Sequence, residues 1–193
     1  MMVCNNTRVI NARLRFTKAT GALIEIFCLE PHAPADYAQA FATRGVCEWQ
    51  CLIGNSKRWK DGGLTMDVNT PAGNSVLRVT RTDAEAAADN SRTVRFEWDN
   101  DAVTMADIIA AVGEIPIPPY LNRKSEEADT TDYQTVYSHI DGSVAAPTSG
   151  LHFTPELLQR IEDSGVTLRE VTLHVGAGTF RPVKSDTLAG HDM

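Results

Sequence analysis

Two histidines, His152 and His174, stand beside glycine-containing segments in the second half of the sequence. Imidazole titrates closer to neutrality than other unperturbed side chains, so a histidine at a ligand-binding loop can transfer a proton during a reaction. A histidine near a strand end also often serves as a structural hydrogen-bonding group. We predict that His152 and His174 are candidate catalytic proton-transfer groups, with ligand contact without proton transfer and a structural role as the alternatives.

Small and hydroxyl-bearing residues surround both histidines, a composition typical of a polar binding loop. Main-chain N–H groups at such loops can hold a carboxylate, a phosphate or a purine edge. Glycine also serves tight turns, which is the alternative that involves no ligand. The residues predicted to contact a ligand are Thr148, Ser149, Gly150, Gly176, Gly178 and Thr179.

Side chains able to recognise a nucleobase lie close in sequence to residues 146–152, here called the first loop. Tyr133, Tyr137 and Phe153 can stack on a purine, or can pack in the core instead. Asp132 and Gln134 can read a base edge, since a carboxylate or an amide matches its donors and acceptors. Helix capping is the rival role for Asp132.

An α/β unit is predicted to position these residues. Thr154 supplies an N-cap hydroxyl and Pro155 fits the first helical position, so a helix begins there and ends before Gly165. Apolar and polar residues then alternate over Val171–Val175, which predicts a strand that Gly176 ends. In α/β units, ligand-binding groups collect beyond the carboxyl ends of strands. We therefore expect both loops to face one pocket.

Several long segments, in the same order, resemble those of the S-adenosylmethionine:tRNA ribosyltransferase-isomerases of queuosine synthesis. They are NNTRVINARL from Asn5, IPIPPYLNR from Ile115, DYQTVY from Asp132, GSVAAPTSGLHFT from Gly142 and VTLHVGAGTFRPV from Val171. The sequence departs from the family pattern at Asn6, Asn11 and Ser149, where members typically carry Asp, Pro and Ala. The resemblance implies that the family enzyme extends beyond both ends, so we expect a central fragment.

The family's reaction consumes S-adenosylmethionine as a substrate. Its ribosyl part is transferred to the aminomethyl group of a 7-deazaguanine at the tRNA wobble position, giving epoxyqueuosine, adenine and methionine. The sulfonium acidifies the adjacent 5′ carbon, so a base there can start the rearrangement, and the attacking amine must be neutral. The resemblance thus implies tRNA and S-adenosylmethionine as ligands, without a metal. A noncatalytic nucleotide- or RNA-binding fragment and a structural module are the alternatives.

Basic residues near these motifs are candidates for phosphate contacts to RNA: Arg8, Arg13, Arg123 and Lys124. The family pattern favours this role for Arg123 and Lys124. Arg8 and Arg13 can instead hold a structural carboxylate. Residues Lys57–Lys60 form a further basic and aromatic cluster, which can contact RNA or protect a hairpin edge, and the second role is slightly favoured.

The sequence between the first strands and the Pro-rich segment predicts a separate β module. Four segments, LIEIFCL, CEWQCLIG, SVLRVT and TVRFEW, read as short strands, and a helix capped by Thr104 ends at Gly113. We predict an α+β fold in which a partial barrel-like α/β domain is interrupted by a small β-barrel. Residues 1–16 and 113–193 form parts of the larger domain, and residues 17–112 form the insert.

Composition fits a folded protein of the cytosol. The 193 residues are 42% hydrophobic and 22% charged, no apolar run is long enough to span a bilayer, and a secretion signal pattern is lacking. The net charge of −7 means that any RNA surface must be local. Disulfides are disfavoured in that compartment. The cysteines at 4, 28, 47 and 51 are interpreted as core thiols, with zinc as the competing hypothesis.

Overall fold

The chain divides into two compact units in a computed structural model that describes residues 1–60, 62–82, 87, 90–118 and 121–180. The inserted unit is Ile10–Pro116, and the other unit, here called the outer unit, consists of Met1–Val9 and Ile117–Met193. The insert is therefore longer at both ends than the predicted 17–112. The reason is that residues 13–17 form a strand that pairs on both sides within the insert's sheet.

The described residues form eleven strands and four α-helices, and this mixture fits the predicted α+β class. The strands are β1 (Met2–Asn5), β2 (Thr7–Val9), β3 (Arg13–Thr17), β4 (Leu23–Ala33), β5 (Val46–Gly54), β6 (Leu64–Thr70), β7 (Gly73–Arg81), β8 (Arg92–Trp98), β9 (Gly113–Glu114), β10 (Ile140–Ser143) and β11 (Leu168–Val171). The helices are α1 (Tyr37–Ala42), α2 (Met105–Val112), α3 (Asp129–Asp132) and α4 (Pro155–Asp163).

The inserted unit is built on one antiparallel sheet of seven strands in the order β6-β7-β8-β5-β4-β3-β9. Alternate residues of its strands are buried, as the period of a strand requires when one face covers a core. Trp49, Phe16, Phe96, Ile24 and Ile26 are among the fully buried side chains of that core. The sheet curls, because Cα atoms of β3 and β6 approach within 8 Å although these strands are not hydrogen-bonded neighbours.

All four predicted strand segments of the insert occur in the structure, as parts of β4, β5, β7 and β8. The predicted helix is α2, and the Thr104 hydroxyl accepts from the N–H of Asp107 at 3.2 Å. The Thr104 hydroxyl and N–H in turn donate to the Asp107 carboxylate, which lowers its pKa. Strand β6 and helix α1 were not predicted. Asp36, which caps α1 by accepting from the N–H of Gln39, is the signal that marks this helix.

The cysteines are buried and have free thiols, which confirms their assignment to the core. Cys47 and Cys51 point to the same buried face of β5 as Trp49. Burial raises the pKa of Cys47 to about 12. Within the described part of the chain, no group of three or more His, Cys, Asp or Glu side chains could hold a metal ion.

The outer unit contains two short parallel sheets, one formed by β1 with β11 and the other by β2 with β10. Helix α4 begins and ends where the sequence predicts, and the Thr154 hydroxyl accepts from the N–H of Leu157. No helix in the described part of the chain combines the length and the apolar character needed to cross a bilayer.

Candidate functional site

The segment that carries His174 is held by side chains. A strand was predicted over Val171–Val175, but β11 ends at Val171. Beyond it, the main chain of Leu173 bonds to both ends of the Asn5 amide, at 3.0 and 2.9 Å, and its carbonyl also accepts from the Thr7 hydroxyl at 3.1 Å. The strand prediction is therefore wrong beyond Val171, because polar side chains replace the main-chain ladder there.

Two hydrogen bonds, one between main-chain groups and one to a side chain, join this segment to the residues that lead into the first loop. The Val144 N–H donates to the Val175 carbonyl at 2.9 Å, and the Val175 N–H donates to the Ser143 hydroxyl at 2.9 Å. Ser143 is buried and donates to the Thr7 hydroxyl at 2.7 Å. The two predicted ligand loops thus start from neighbouring positions at the end of β10.

The first loop packs its glycine against an aromatic side chain. Gly150 is buried in a 3-10 turn, Thr148–His152. A Cβ added at Gly150 would lie 2.4 Å from the Tyr137 hydroxyl oxygen and 2.8 Å from Cγ2 of Thr135. The Tyr137 and Phe153 rings meet edge to face with centroids 6.3 Å apart. The structure therefore brings together three predicted site residues, Tyr137, Gly150 and Phe153.

Tyr137 lies in surroundings that favour its neutral form. Burial raises the pKa of its phenol, with a smaller contribution from Cys4, while the Thr135 hydroxyl acts in the opposite direction. A neutral phenol keeps its O–H available as a donor. Thr135 is buried beneath the loop and was not among the predicted residues, although its position inside the DYQTVY motif is a signal that could have identified it.

Exposed groups surround this packed centre. In the 3-10 turn, Thr148, Ser149 and His152 are exposed, and His174 is exposed on the second segment. These side chains can therefore meet a ligand that comes from solvent. Both histidines belong to segments that are joined through the hydrogen bond between Val144 and Val175.

The second glycine-containing turn has no local requirement for glycine. An added Cβ at Gly176 or Gly178 meets no other described residue within 4 Å, and neither glycine adopts a left-handed conformation. Turn geometry thus does not explain these two glycines, whereas packing against Tyr137 does explain Gly150. Thr179 lies in the 3-10 turn Ala177–Phe180, but its side chain lies outside the described part of the structure.

Two residues predicted to contact a nucleobase, one by stacking and one at a base edge, serve the outer unit's own structure. Tyr133 is only 8% exposed, which is the core arrangement given above as the alternative to stacking. Gln134 donates from Nε2 to the Val9 carbonyl at 2.7 Å and accepts from the Val9 N–H at 2.9 Å. Asp132, by contrast, is exposed at the end of α3, whose N-cap is Ala128, so Asp132 does not cap that helix's start.

Three of the four arginine and lysine candidates take part in ion pairs. Arg123 makes a two-pronged pair with Asp129, with both N–O distances at 2.7 Å, and this pair lowers the pKa of Asp129 to about 2. Arg8 lies 3.9 Å from Asp141 at an exposed position. In the inserted unit, Arg13 lies 3.5 Å from Glu25 and over the ring of Phe27.

Lys124, the fourth candidate, is exposed next to Arg123. The Arg123 guanidinium also donates to the Lys124 carbonyl at 3.0 Å, so this hydrogen bond joins the two residues. Arg13 faces a carboxylate, which is the structural role given above as the alternative to phosphate contact. Lys124 is exposed, so a phosphate can reach its ammonium group.

A polar cluster that was not predicted lies between the two parallel sheets of the outer unit. Buried Asn6 donates to the Glu170 carboxylate at 3.1 Å and accepts from the Thr172 hydroxyl at 2.9 Å. Nε2 of His139 lies 3.5 Å from the same carboxylate. Asn6, one of the departures from the family pattern, is the signal that could have directed attention to this cluster.

The whole sequence matches one protein family. Residues 1–193 match the family described as "Queuosine biosynthesis protein". Three relatives, all named S-adenosylmethionine:tRNA ribosyltransferase-isomerase, come from Trichlorobacter lovleyi, Desulfotalea psychrophila and a Synechococcus species. Their identities are 42% over 191 residues, 40% over 195 and 40% over 195.

These matches cover 99%, 100% and 100% of this chain, but 49%, 50% and 48% of the respective relatives. The chain therefore spans about half the length of the curated relatives that it matches. The motifs at the two loops fall inside the matched region, since the match extends over nearly all of the sequence.

Proposed function

The chain belongs to the queuosine biosynthesis protein family, and on that premise we propose that it provides part of an S-adenosylmethionine:tRNA ribosyltransferase-isomerase. The reaction transfers and isomerises the ribosyl part of S-adenosylmethionine onto 7-aminomethyl-7-deazaguanine at the tRNA wobble position. Epoxyqueuosine, adenine and methionine are the products. The observation that carries this proposal is the identity of about 40% with relatives of that name along nearly the whole chain.

The S-adenosylmethionine site is proposed to lie on the outer unit, at the two loops joined through Val144 and Val175. Tyr137 and Phe153 offer aromatic surface for adenine, as stacking between a purine and an aromatic ring requires. Thr148 and Ser149 offer exposed hydroxyl groups to the ribose or to the methionine carboxylate.

Gly176, Gly178 and Thr179 are proposed to bring their main chain close to the ligand. The open space around both glycines supports this role, because a side chain there would occupy the volume that a ligand needs. Asp132, being exposed, is proposed to accept from the amino group of the deazaguanine. Tyr133 and Gln134 support the site by holding the loop in place.

Proton transfer is assigned to His152 and His174. A neutral imidazole can accept the proton from the 5′ carbon beside the sulfonium, and an imidazolium can return a proton to the departing adenine. The incoming amine must lose its own proton before it attacks, and the second histidine is proposed to accept that proton. The exposure of both side chains supports access by the substrate.

We further propose that the protein is cytoplasmic, uses no metal ion and binds tRNA. Lys124 is assigned to phosphate contact, and Arg8, Arg13 and Arg123 contribute positive charge that their carboxylate partners reduce. The curled sheet of the insert is proposed to belong to a small β-barrel, and the outer unit to a larger barrel-like α/β domain.

Adenine release tests this function. The chain is incubated with S-adenosylmethionine and tRNA carrying the aminomethyl-deazaguanine, and adenine is measured by chromatography. We expect adenine to appear only when both substrates are present, and to be lost in a variant with His152→Gln and His174→Gln. Binding of S-adenosylmethionine without adenine release would favour the noncatalytic fragment.

A further inference from the structure

A cluster of positive side chains lies in the inserted unit, apart from the residues assigned above. It draws on the turn after β3, the 3-10 turn Ser56–Arg58, the connection that follows it, and β7. This basic cluster consists of Lys18, Lys57, Arg58, Lys60, Arg78 and Arg81.

Contacts between these segments bring the cluster together. Nζ of Lys18 donates to the Arg58 carbonyl at 3.0 Å. The Arg81 guanidinium donates to the Lys60 carbonyl and lies 5.4 Å from the ring centroid of Trp59. A Cβ placed on Gly63 would lie 2.8 Å from Nε of Arg78, so this arginine reaches the same connection.

Trp59 acts as the support of the cluster. Its side chain is fully buried, and its indole N–H donates to the Gly62 carbonyl at 2.9 Å. The ring is therefore not available to stack on a nucleobase, as the sequence alone had allowed. It holds the turn in place, and the charged residues on either side, Arg58 and Lys60, remain exposed.

The cluster concentrates positive charge in an acidic protein. Its six members are a third of the 18 Lys and Arg residues, although the net charge is −7. Residues 17–24, 55–60, 62–66 and 76–82 contain no Asp or Glu, while Asp61 stands within the connection in sequence and lies outside the described residues. Among residues that the structure describes, no carboxylate forms an ion pair with any of the six, in contrast to Arg15 and Arg95.

No residue of the edge strand on this side of the sheet belongs to the cluster. The edge strand on this side of the sheet is β6, and its sequence, LTMDVNT, contains no lysine or arginine. Arg78 and Arg81 belong to β7, which has strand neighbours on both sides. The cluster therefore includes charges on an interior strand, and protection of the edge by Lys57–Lys60 stays a separate prediction.

We infer that the basic cluster binds the phosphate groups of an RNA, which, on the proposed function, is the tRNA substrate. Lys57, Arg58, Lys60 and Arg78 are exposed, and such cationic groups can neutralise phosphates and release their counterions. The spread over four segments matches a polymer with repeated charges better than a single small anion. Specific reading of bases is not part of this surface, because its aromatic ring is buried.

The test measures tRNA binding by the 193-residue chain at several salt concentrations, with an unmodified tRNA transcript. The double variant Lys57→Gln/Arg58→Gln removes two exposed charges of the cluster. The control, Arg160→Gln/Arg169→Gln, removes two exposed charges of the outer unit and so changes the net charge equally. We expect the slope of log affinity against log salt to become shallower by about 1.5 in the first variant, and by much less in the control.

Equal slopes in the cluster variant and the unsubstituted chain would overturn the inference, as would a lack of tRNA binding by the unsubstituted chain. Displacement of tRNA by polyglutamate of equal charge concentration would also overturn it, in favour of an acidic protein partner. Lys60→Gln, measured in the same way, replaces the double variant if that variant does not fold. The binding assay does not depend on adenine release. Failure of the tRNA-binding inference is therefore distinguished from failure of the proposed enzymatic function.

Discussion

Gln134 binds the main chain of Val9 through both ends of its side-chain amide, at 2.7 and 2.9 Å, across a sequence separation of 125 residues. Val9 is 5% exposed and ends β2. The amide thereby takes the place of a neighbouring strand at this point. It joins the N-terminal strand to the residues just before the candidate site.

Replacing Gln134 by Ala should destabilise the outer unit by about 2 kcal/mol, because both main-chain groups of Val9 lose their partner in a buried position. Urea unfolding measures the change, and amide exchange at Val9 should become faster. Gln159→Ala is the matched control, since Gln159 bonds to Asp163 on the exposed face of α4. Equal losses in the two variants would contradict the role given to Gln134.

Gly150→Ala should destabilise the protein by about 1–3 kcal/mol, because the new methyl group overlaps the Tyr137 hydroxyl and must displace it. Stabilisation by added S-adenosylmethionine should fall as well, since Tyr137 and Phe153 lose their arrangement. Thermal unfolding with and without the ligand gives both values. Gly176→Ala is the control for the unfolding measurement only. The open space around Gly176 predicts a change in the free energy of unfolding below about 0.5 kcal/mol. A tolerated Gly150→Ala would show that this packing is not needed.

Arg123→Gln should lower stability at neutral pH, because Asp129 loses a two-pronged ion pair. The pair depresses the folded-state pKa of Asp129 from its ordinary 3.8 to about 2. Its contribution is therefore complete above about pH 4 and is lost as the pH falls toward about 2. Unfolding in urea at pH 7, 5 and 3.5 should show a difference between the proteins that shrinks only at the lowest pH. A difference that is the same at all three values would contradict this assignment.

Asn6→Asp introduces the residue that the family pattern typically has, next to the Glu170 carboxylate. The amide donor is lost and two negative charges meet, so we expect a loss of about 1–2 kcal/mol at neutral pH. Repulsion raises the folded-state pKa of the carboxyl pair, so the loss should diminish as the pH falls and one carboxyl takes up a proton. The double variant Asn6→Asp/Glu170→Gln should recover most of the stability, and lack of recovery would argue against direct repulsion.

Much of this architecture could be predicted from local sequence chemistry. Thr154 and Thr104 mark helix starts by capping N–H groups within a few residues, and alternation placed Cys47, Trp49 and Cys51 on one buried face. Such signals act over short distances, so the sequence carries them directly. The two-loop site stays a prediction, and the strand on whose end it was based stops at Val171 rather than Val175.

Long-range polar contacts could not be predicted in the same way. Nothing local tells that Asn5 bonds to Leu173, or that Gln134 bonds to Val9, because these partners are separated by more than a hundred residues. Asn5 and Thr7 take over the backbone groups of Leu173 and so end β11 earlier than the alternation indicates. The buried position of Trp59 likewise depends on how β7 returns beside the turn.

The central claim is that S-adenosylmethionine binds the outer unit between the segments that carry His152 and His174. Titration of the isotope-labelled chain with S-adenosylmethionine, followed by amide and methyl chemical shifts, tests it most directly. We predict that the largest shifts occur at Gly150, His152, Phe153, His174 and Gly176, with little change in the inserted unit. Shifts confined to the inserted unit, or none at saturating ligand, would contradict the claim.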